Sequence, residues 1–166
     1  MRAYITRGET EMEKIVVGVD GSESAQQALE WAAAEAKLRG ADLLVVHTWQ
    51  QPAAVLMSPY APVLADTAAL EEAAWRTLTD SVAAANVTEI VGQVQQVVVQ
   101  GSAAPALIEA AQESSLLVVG SRGRGGFAGL LLGSVSQQIA HEATVPIVII
   151  PPVARATDGN RSQAEG

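Results

Sequence analysis

Cysteine is absent from the 166 residues. That excludes disulfides and thiolate metal sites, and it fits a reducing compartment, so the expected location is the cytoplasm. Histidine occurs twice, as His47 and His141. Neither has a second histidine or a set of carboxylates at ligand spacing, so a metal centre is not expected. No apolar run approaches the roughly 20 residues that a membrane-crossing helix needs. Basic residues are few: 10 Lys and Arg stand against 18 Asp and Glu, a formal charge of −8. So acidic a chain lacks the broad basic face that nucleic acid requires. Gly-Lys-Ser and Gly-Lys-Thr are also missing, which removes the Walker-A phosphate loop.

What is present is apolar and regular. Hydrophobic residues make up 49%, enough to set the chain apart from disordered ones, and the length suits one domain with a core. Five apolar runs read as strands: Lys14 to Asp20, Asp42 to Trp49, Val94 to Val99, Leu116 to Val119 and Pro146 to Ile150. Helical segments alternate with them. One runs from a Ser22 or Ser24 cap to Arg39, with Ala25, Ala28, Leu29, Ala32 and Ala36 on one face and Gly40 closing it. A second runs from about Leu64 to Ala85, with Leu70, Ala74, Leu78 and Val82 recurring. Others run from Ser102 to Glu113 and from Ser134 to Ala143. Strands that are continuous apolar runs between helices predict a parallel sheet covered on both faces. The stretch from Gln50 to Val63, with Pro52, Pro59 and Pro62, reads as a long loop. Residues 1–13 read as a loose arm and not as a secretory leader, 14–152 as the domain, and 153–166 as a polar tail.

The most informative stretch runs from Gly120 to Ser134: Gly-Ser-Arg-Gly-Arg-Gly-Gly-Phe-Ala-Gly-Leu-Leu-Leu-Gly-Ser. It links a buried strand to a helix start. Glycines let backbone N–H groups approach an anion, and a helix N-terminus adds free donors. Arg122 and Arg124 lie inside it, and Ser134 and Ser136 can supply a cap or a hydroxyl to a phosphate oxygen. The bland alternative is an unliganded surface loop. A relaxed dinucleotide pattern, Gly123-x-Gly125-x-x-Ala128, is discounted, because the helix begins several residues too late and the acidic residue at the required distance, Glu142, precedes the last strand. Asp20 by itself is ordinary turn and cap chemistry in Asp-Gly-Ser. His47 reads as a core or rim histidine, and Trp31, Trp49 and Trp75 as packing groups. Glu71, Glu72, Asp80 and Glu89 read as a solvated face.

The spacing Gly120-x-x-Gly123, nine residues, Gly133-Ser134 resembles the ATP-binding motif of the universal stress proteins. The blocks Ile15 to Ser22, Leu44 to His47, Val99-Gln100-Gly101 with Ala104-Pro105, Gly133 to Ser136 and Val145 to Ile150 resemble that family too, over about residues 14 to 151. The resemblance implies an open five-stranded parallel sheet of order 3-2-1-4-5, Rossmann-like and similar to the adenine nucleotide alpha hydrolase fold. It implies ATP with Mg²⁺ in the cleft. Gly18 would belong to the binding site, Asp20 and the backbone of Thr48 would meet the nucleoside end, and Gly120 would lie near the ribose. Gly123, Gly133, Ser134, Val135 and Ser136 would meet the phosphates. A small apolar residue is common where this chain has Thr48. Ser121, Arg122 and Arg124 complete the expected nucleotide site, the arginines on the strength of their charge alone. A homodimer through the last strand, Ile147 to Ile150, is also implied, since an exposed apolar edge is otherwise a liability.

The functional expectation is a nucleotide-dependent sensor or switch. No general base is placed for a water and no lysine lies in the cradle, so fast catalysis is not expected. The alternatives are a slow ATPase or autophosphorylating enzyme, through Ser121, Ser134 or Ser136, and an interaction module with a vestigial cleft.

Overall fold

The computed structural model describes residues 13–51, 67–87, 93–124 and 131–152. Nine elements alternate: β1 (Lys14–Val19), α1 (Glu23–Arg39), β2 (Asp42–Trp49), α2 (Thr67–Ala84), β3 (Val94–Gln100), α3 (Ala103–Ala110), β4 (Leu116–Gly120), α4 (Ser134–Glu142) and β5 (Ile147–Ile150). The strands form one sheet in the order β3-β2-β1-β4-β5, and every pairing is parallel.

Successive strand side chains point to opposite faces, so the apolar runs fill two cores. Ile15, Val17, Leu43, Val45, Leu116 and Val118 face α1 and α2, where Leu29, Leu78 and Val82 cover them. Val16, Val46, Leu117 and Val119 face α3 and α4, where Leu107 and Ile139 cover them. On α1 the buried face is almost all alanine, at Ala25, Ala28, Ala32, Ala33 and Ala36, which brings the helix close to the sheet. Ser22 caps it by accepting the Ala25 N–H at 3.2 Å, and Gly40 ends it in the left-handed conformation.

The central strands are buried on both faces, as the apolar runs predict. The edges are not: Gln95, Val97 and Gln100 of β3 are exposed, and all four residues of β5 are half-buried. Two helix ends differ from the sequence expectation. The helix after β3 stops at Ala110 instead of Glu113, because Ser114 turns back and bonds the Ala111 carbonyl through N–H and hydroxyl. Ser134 is not the cap of α4; Gly133 is, and it has no side chain to offer. Glu13, just before β1, is tied to β2, since its carbonyl accepts the Asp42 N–H at 2.8 Å. Trp31 and Trp75 are 36% and 39% exposed, so they lie on helix surfaces and are not core packing groups. Glu71, Glu72 and Asp80 are exposed, as expected of a solvated face. The rest of the expected arm, most of the proline-bearing loop, residues 64–66 of the expected second helix, Glu89, residues 125–130 and the tail lie outside the described residues.

Candidate functional site

The sheet order fixes where a ligand can sit. From β1 the chain winds outward through β2 and β3, then returns to β4 on the other side of β1. At that switch the connections leave to opposite faces of the sheet and a crevice opens beyond the carboxyl ends of the strands. A cleft of about 640 Å³ occupies this position, within the ~300–1,000 Å³ range of small-molecule sites. Gly18, Asp20, Thr48, Gly120, Arg122, Gly123, Arg124, Gly133, Ser134, Val135 and Ser136 all line it. Of the residues expected to bind, only Ser121 does not. It is 3% exposed, and its hydroxyl is buried without a hydrogen-bond partner among the described residues.

One end of the cleft is built from loop backbone and a helix start. Ser121 anchors the loop: its N–H donates to the Ile150 carbonyl and its carbonyl accepts the Gly133 N–H, both at 2.7 Å. The Ser136 hydroxyl, 2.8 Å from the Ser121 carbonyl and 3.0 Å from that of Gly133, donates into this same joint. Ser136 is 2% exposed and braces the loop from behind, so its proton is directed at backbone rather than at the cleft. Ser134 is exposed, at the first position of α4. Among the described residues no side chain caps α4, so its first-turn N–H groups and the positive end of its dipole are open to an anion.

Glycines make this end possible. A Cβ at Gly120 would stand 2.7 Å from the Ser24 carbonyl carbon and 2.9 Å from the Ala25 nitrogen, so only glycine lets β4 pass the start of α1. A Cβ at Gly123 would overlap the Asp20 carboxylate. At Gly133 there is room: the nearest atoms, Arg122 Cα and the Ser121 carbonyl oxygen, would be 3.5 Å away and the Gly123 nitrogen 3.8 Å. The bare surface at Gly133 therefore faces the gap between loop and helix.

The opposite end is apolar, with Val46 from β2, Ala103 and Leu107 from α3, and Val119 from β4. No local signal in the sequence marks these residues; they join the site only because the strand order carries α3 over it. Gly18 lies beneath Leu107, whose side chain fills the space a Cβ would need. Thr48 shares the strand face of Leu44 and Val46 and lies at the border with a smaller groove of about 400 Å³ beside Trp49 and Ser102. His47 also lines the cleft; it alternates with Thr48 along the strand, and its Nδ1 donates to the Val19 carbonyl at 2.7 Å. It is the satisfied rim histidine that its position suggests.

Charge in the cleft comes from Arg122 and Arg124 against Asp20. The Arg124 guanidinium covers Gly21, close enough that a Cβ there would overlap it, with Thr77 alongside. Among the described residues no group of three His, Cys, Asp or Glu is placed to hold a metal ion, and no helix is long and apolar enough to cross a membrane.

Comparison with known proteins accords with this architecture. The model of the universal stress protein family matches residues 11–151. A universal stress protein of Mycobacterium tuberculosis is 37% identical over 143 residues, a match covering 81% of this chain and 43% of that protein. One of Mycolicibacterium smegmatis is 35% identical over 138 residues, covering 83% and 45%. The chain thus spans under half the length of these curated relatives. Among solved structures, a universal stress protein in complex with cAMP aligns with a TM-score of 0.61 and 27% identity, over 85% of this chain and 98% of that one. UspA from Lactobacillus plantarum shares the fold with a TM-score of 0.71 at 21% identity, over 86% and 99%. Sheet order, glycine spacing and a match over nearly the whole domain agree, and the chain belongs to the universal stress protein family.

Proposed function

We propose that the chain binds an adenine nucleotide in this cleft, with ATP as the ligand, and that it works as a nucleotide-dependent sensor or switch in the stress response. The observation that carries this reading is the uncapped start of α4 facing the Gly123 backbone across a gap kept open by Gly133. Phosphates fit that end, where N–H donors and a dipole await charge. The base fits the apolar end beside Val46, Ala103 and Leu107. The cAMP complex of a 27% identical relative supports the same ligand class. Mg²⁺ would enter with the phosphates, keeping several of its waters and taking one or two carboxylate ligands besides. Asp20 is the one carboxylate in the lining among the described residues.

Binding is better supported than turnover, because the two described lining residues of general-base type are engaged with backbone: His47 through Nδ1 with the Val19 carbonyl, and Asp20 through both oxygens with the Ser22 and Arg124 N–H groups. If the chain does modify itself, Ser134 is the exposed hydroxyl at the phosphate end, whereas Ser121 and Ser136 are buried. We also propose a homodimer through β5, whose Ile147–Ile150 edge pairs only with β4 among the described residues and is half-buried, and a cytoplasmic location.

The test is to purify the protein without added nucleotide, denature it, and identify what is released by chromatography and mass, then titrate the emptied protein with Mg-ATP. Released or titratable adenine nucleotide is the expected result. An empty protein that also ignores Mg-ATP would overturn this reading and favour an interaction module with a vestigial cleft.

A further inference from the structure

Asp20 is expected from the family resemblance to touch the nucleoside. The geometry points elsewhere. Its Oδ1 accepts the Ser22 N–H at 2.9 Å, a local turn that fixes the side chain's own orientation. Its Oδ2 then accepts the Arg124 N–H at 3.0 Å, across 104 residues of sequence. Gly123 crosses directly over the carboxylate, where a Cβ would overlap Oδ2. Ser22 adds a longer contact, its hydroxyl 3.4 Å from the Arg122 carbonyl.

The loop needs such a hold. The β1–β4 ladder ends at the Val17–Val118 pair, and β4 itself ends at Gly120. Beyond Ser121 no strand carries Arg122, Gly123 and Arg124. A hydrogen bond to a carboxylate is among the stronger ones available. With the Arg124 N–H taken by Asp20, the Gly123 N–H has no partner among the described residues and lies 3.8 Å from where a side chain at 133 would begin. We propose that Asp20 is a positioning residue: it clasps the loop so that the Gly123 N–H is presented, preformed, to a phosphate group. This inference rests on the nucleotide reading above and assigns Asp20 to the phosphate end of the ligand.

The sign of one substitution separates the roles. Removing a negative charge near a phosphate would by itself tighten binding. Asp20→Ala is nevertheless expected to weaken Mg-ATP about tenfold, because the loop loses its hold, and to leave adenosine, which has no phosphate, unchanged. In the nucleotide-free protein the Arg124 amide is expected to exchange its hydrogen at least tenfold faster, a change that loss of a direct ligand contact would not produce. Gly123→Ala perturbs the same clasp from the other side. Its cost to thermal stability is expected to shrink markedly in the Asp20→Ala background, where the overlapping oxygen is gone. Equal weakening of adenosine and Mg-ATP would make Asp20 a nucleoside contact and overturn the proposal, as would unchanged Arg124 exchange or strict additivity of the two variants. If the unaltered protein binds neither ligand, the nucleotide reading fails instead, while exchange and additivity still decide whether the clasp exists.

Discussion

Two glycine-to-alanine substitutions, chemically identical, should behave oppositely. At Gly133 the backbone has φ −79° and ψ 169°, a conformation alanine adopts without strain, and a new methyl would meet nothing closer than 3.5 Å. Alanine is a poorer helix cap than glycine, by up to about 1 kcal/mol. It also lowers the entropy of the unfolded chain, which stabilises by about 0.4–1 kcal/mol. These terms nearly cancel, so the melting temperature should move by no more than about 2–4 °C. The ligand should notice far more. The methyl would stand 3.8 Å from the Gly123 nitrogen, in the gap assigned to a phosphate. Loss of one hydrogen bond to a charged group costs about 1.5–3 kcal/mol, or roughly 10- to 150-fold in affinity. At Gly120 the methyl would press on the Ser24 and Ala25 backbone at 2.7 and 2.9 Å, a crowding that costs about 1–3 kcal/mol and lowers the melting temperature by about 2–4 °C for each of them. Calorimetric titration with Mg-ATP beside thermal melts reads both quantities. Unchanged affinity in a normally folded Gly133→Ala protein would refute the assignment of that gap to phosphate. A large loss of stability there would mean that the glycine serves the fold.

Three further substitutions follow from contacts in the structure. Leu117→Ala empties a fully buried site on a central strand and should cost about 2–5 kcal/mol in denaturant unfolding; a cost under 1 kcal/mol would contradict the close packing of the α3–α4 face. Ser22→Ala removes the α1 cap and the contact to the Arg122 carbonyl, with an expected loss of about 0.5–2 kcal/mol. Prolonged incubation with Mg-ATP should leave Ser121 and Ser136 unmodified by mass spectrometry, since both are buried; phosphate on either would mean that the loop opens.

The fold was legible because its determinants are local and repeated. Val16 and Val17 are adjacent in sequence yet serve opposite cores, and a run of such residues between helices has one economical solution, a parallel sheet covered on both faces. The exposed side of β3 is also foreshadowed by its glutamines. Strand order is a different kind of fact. Nothing in the five runs states which strands are neighbours, and it was the resemblance, carried by the glycine spacing, that supplied 3-2-1-4-5. Without that order Leu107 and Val46 are two unrelated apolar residues, one on a helix and one on a strand.

Legibility in the site falls along the same divide between local and distant partners. Gly120 and Gly123 stand out in sequence because glycine clusters are rare, but the reason each is needed lies across the fold, in the Ser24–Ala25 backbone and in the Asp20 carboxylate. Ser121 and Ser136 carry the right chemistry at the right spacing, and the structure buries both hydroxyls: that of Ser136 braces the joint between β4, β5 and α4, to which Ser121 contributes its backbone, while the Ser121 hydroxyl has no partner among the described residues. Asp20 is the clearest case. Its Asp-Gly-Ser turn is readable from three letters, and the Oδ1 bond to Ser22 is that turn. The Oδ2 bond to Arg124 is invisible until β1 and β4 are known to be neighbours. A residue can thus satisfy its bland reading completely and still have one oxygen left for a partner a hundred residues away. In this chain that second oxygen holds the Arg124 N–H, at the described start of the loop on which the nucleotide reading depends.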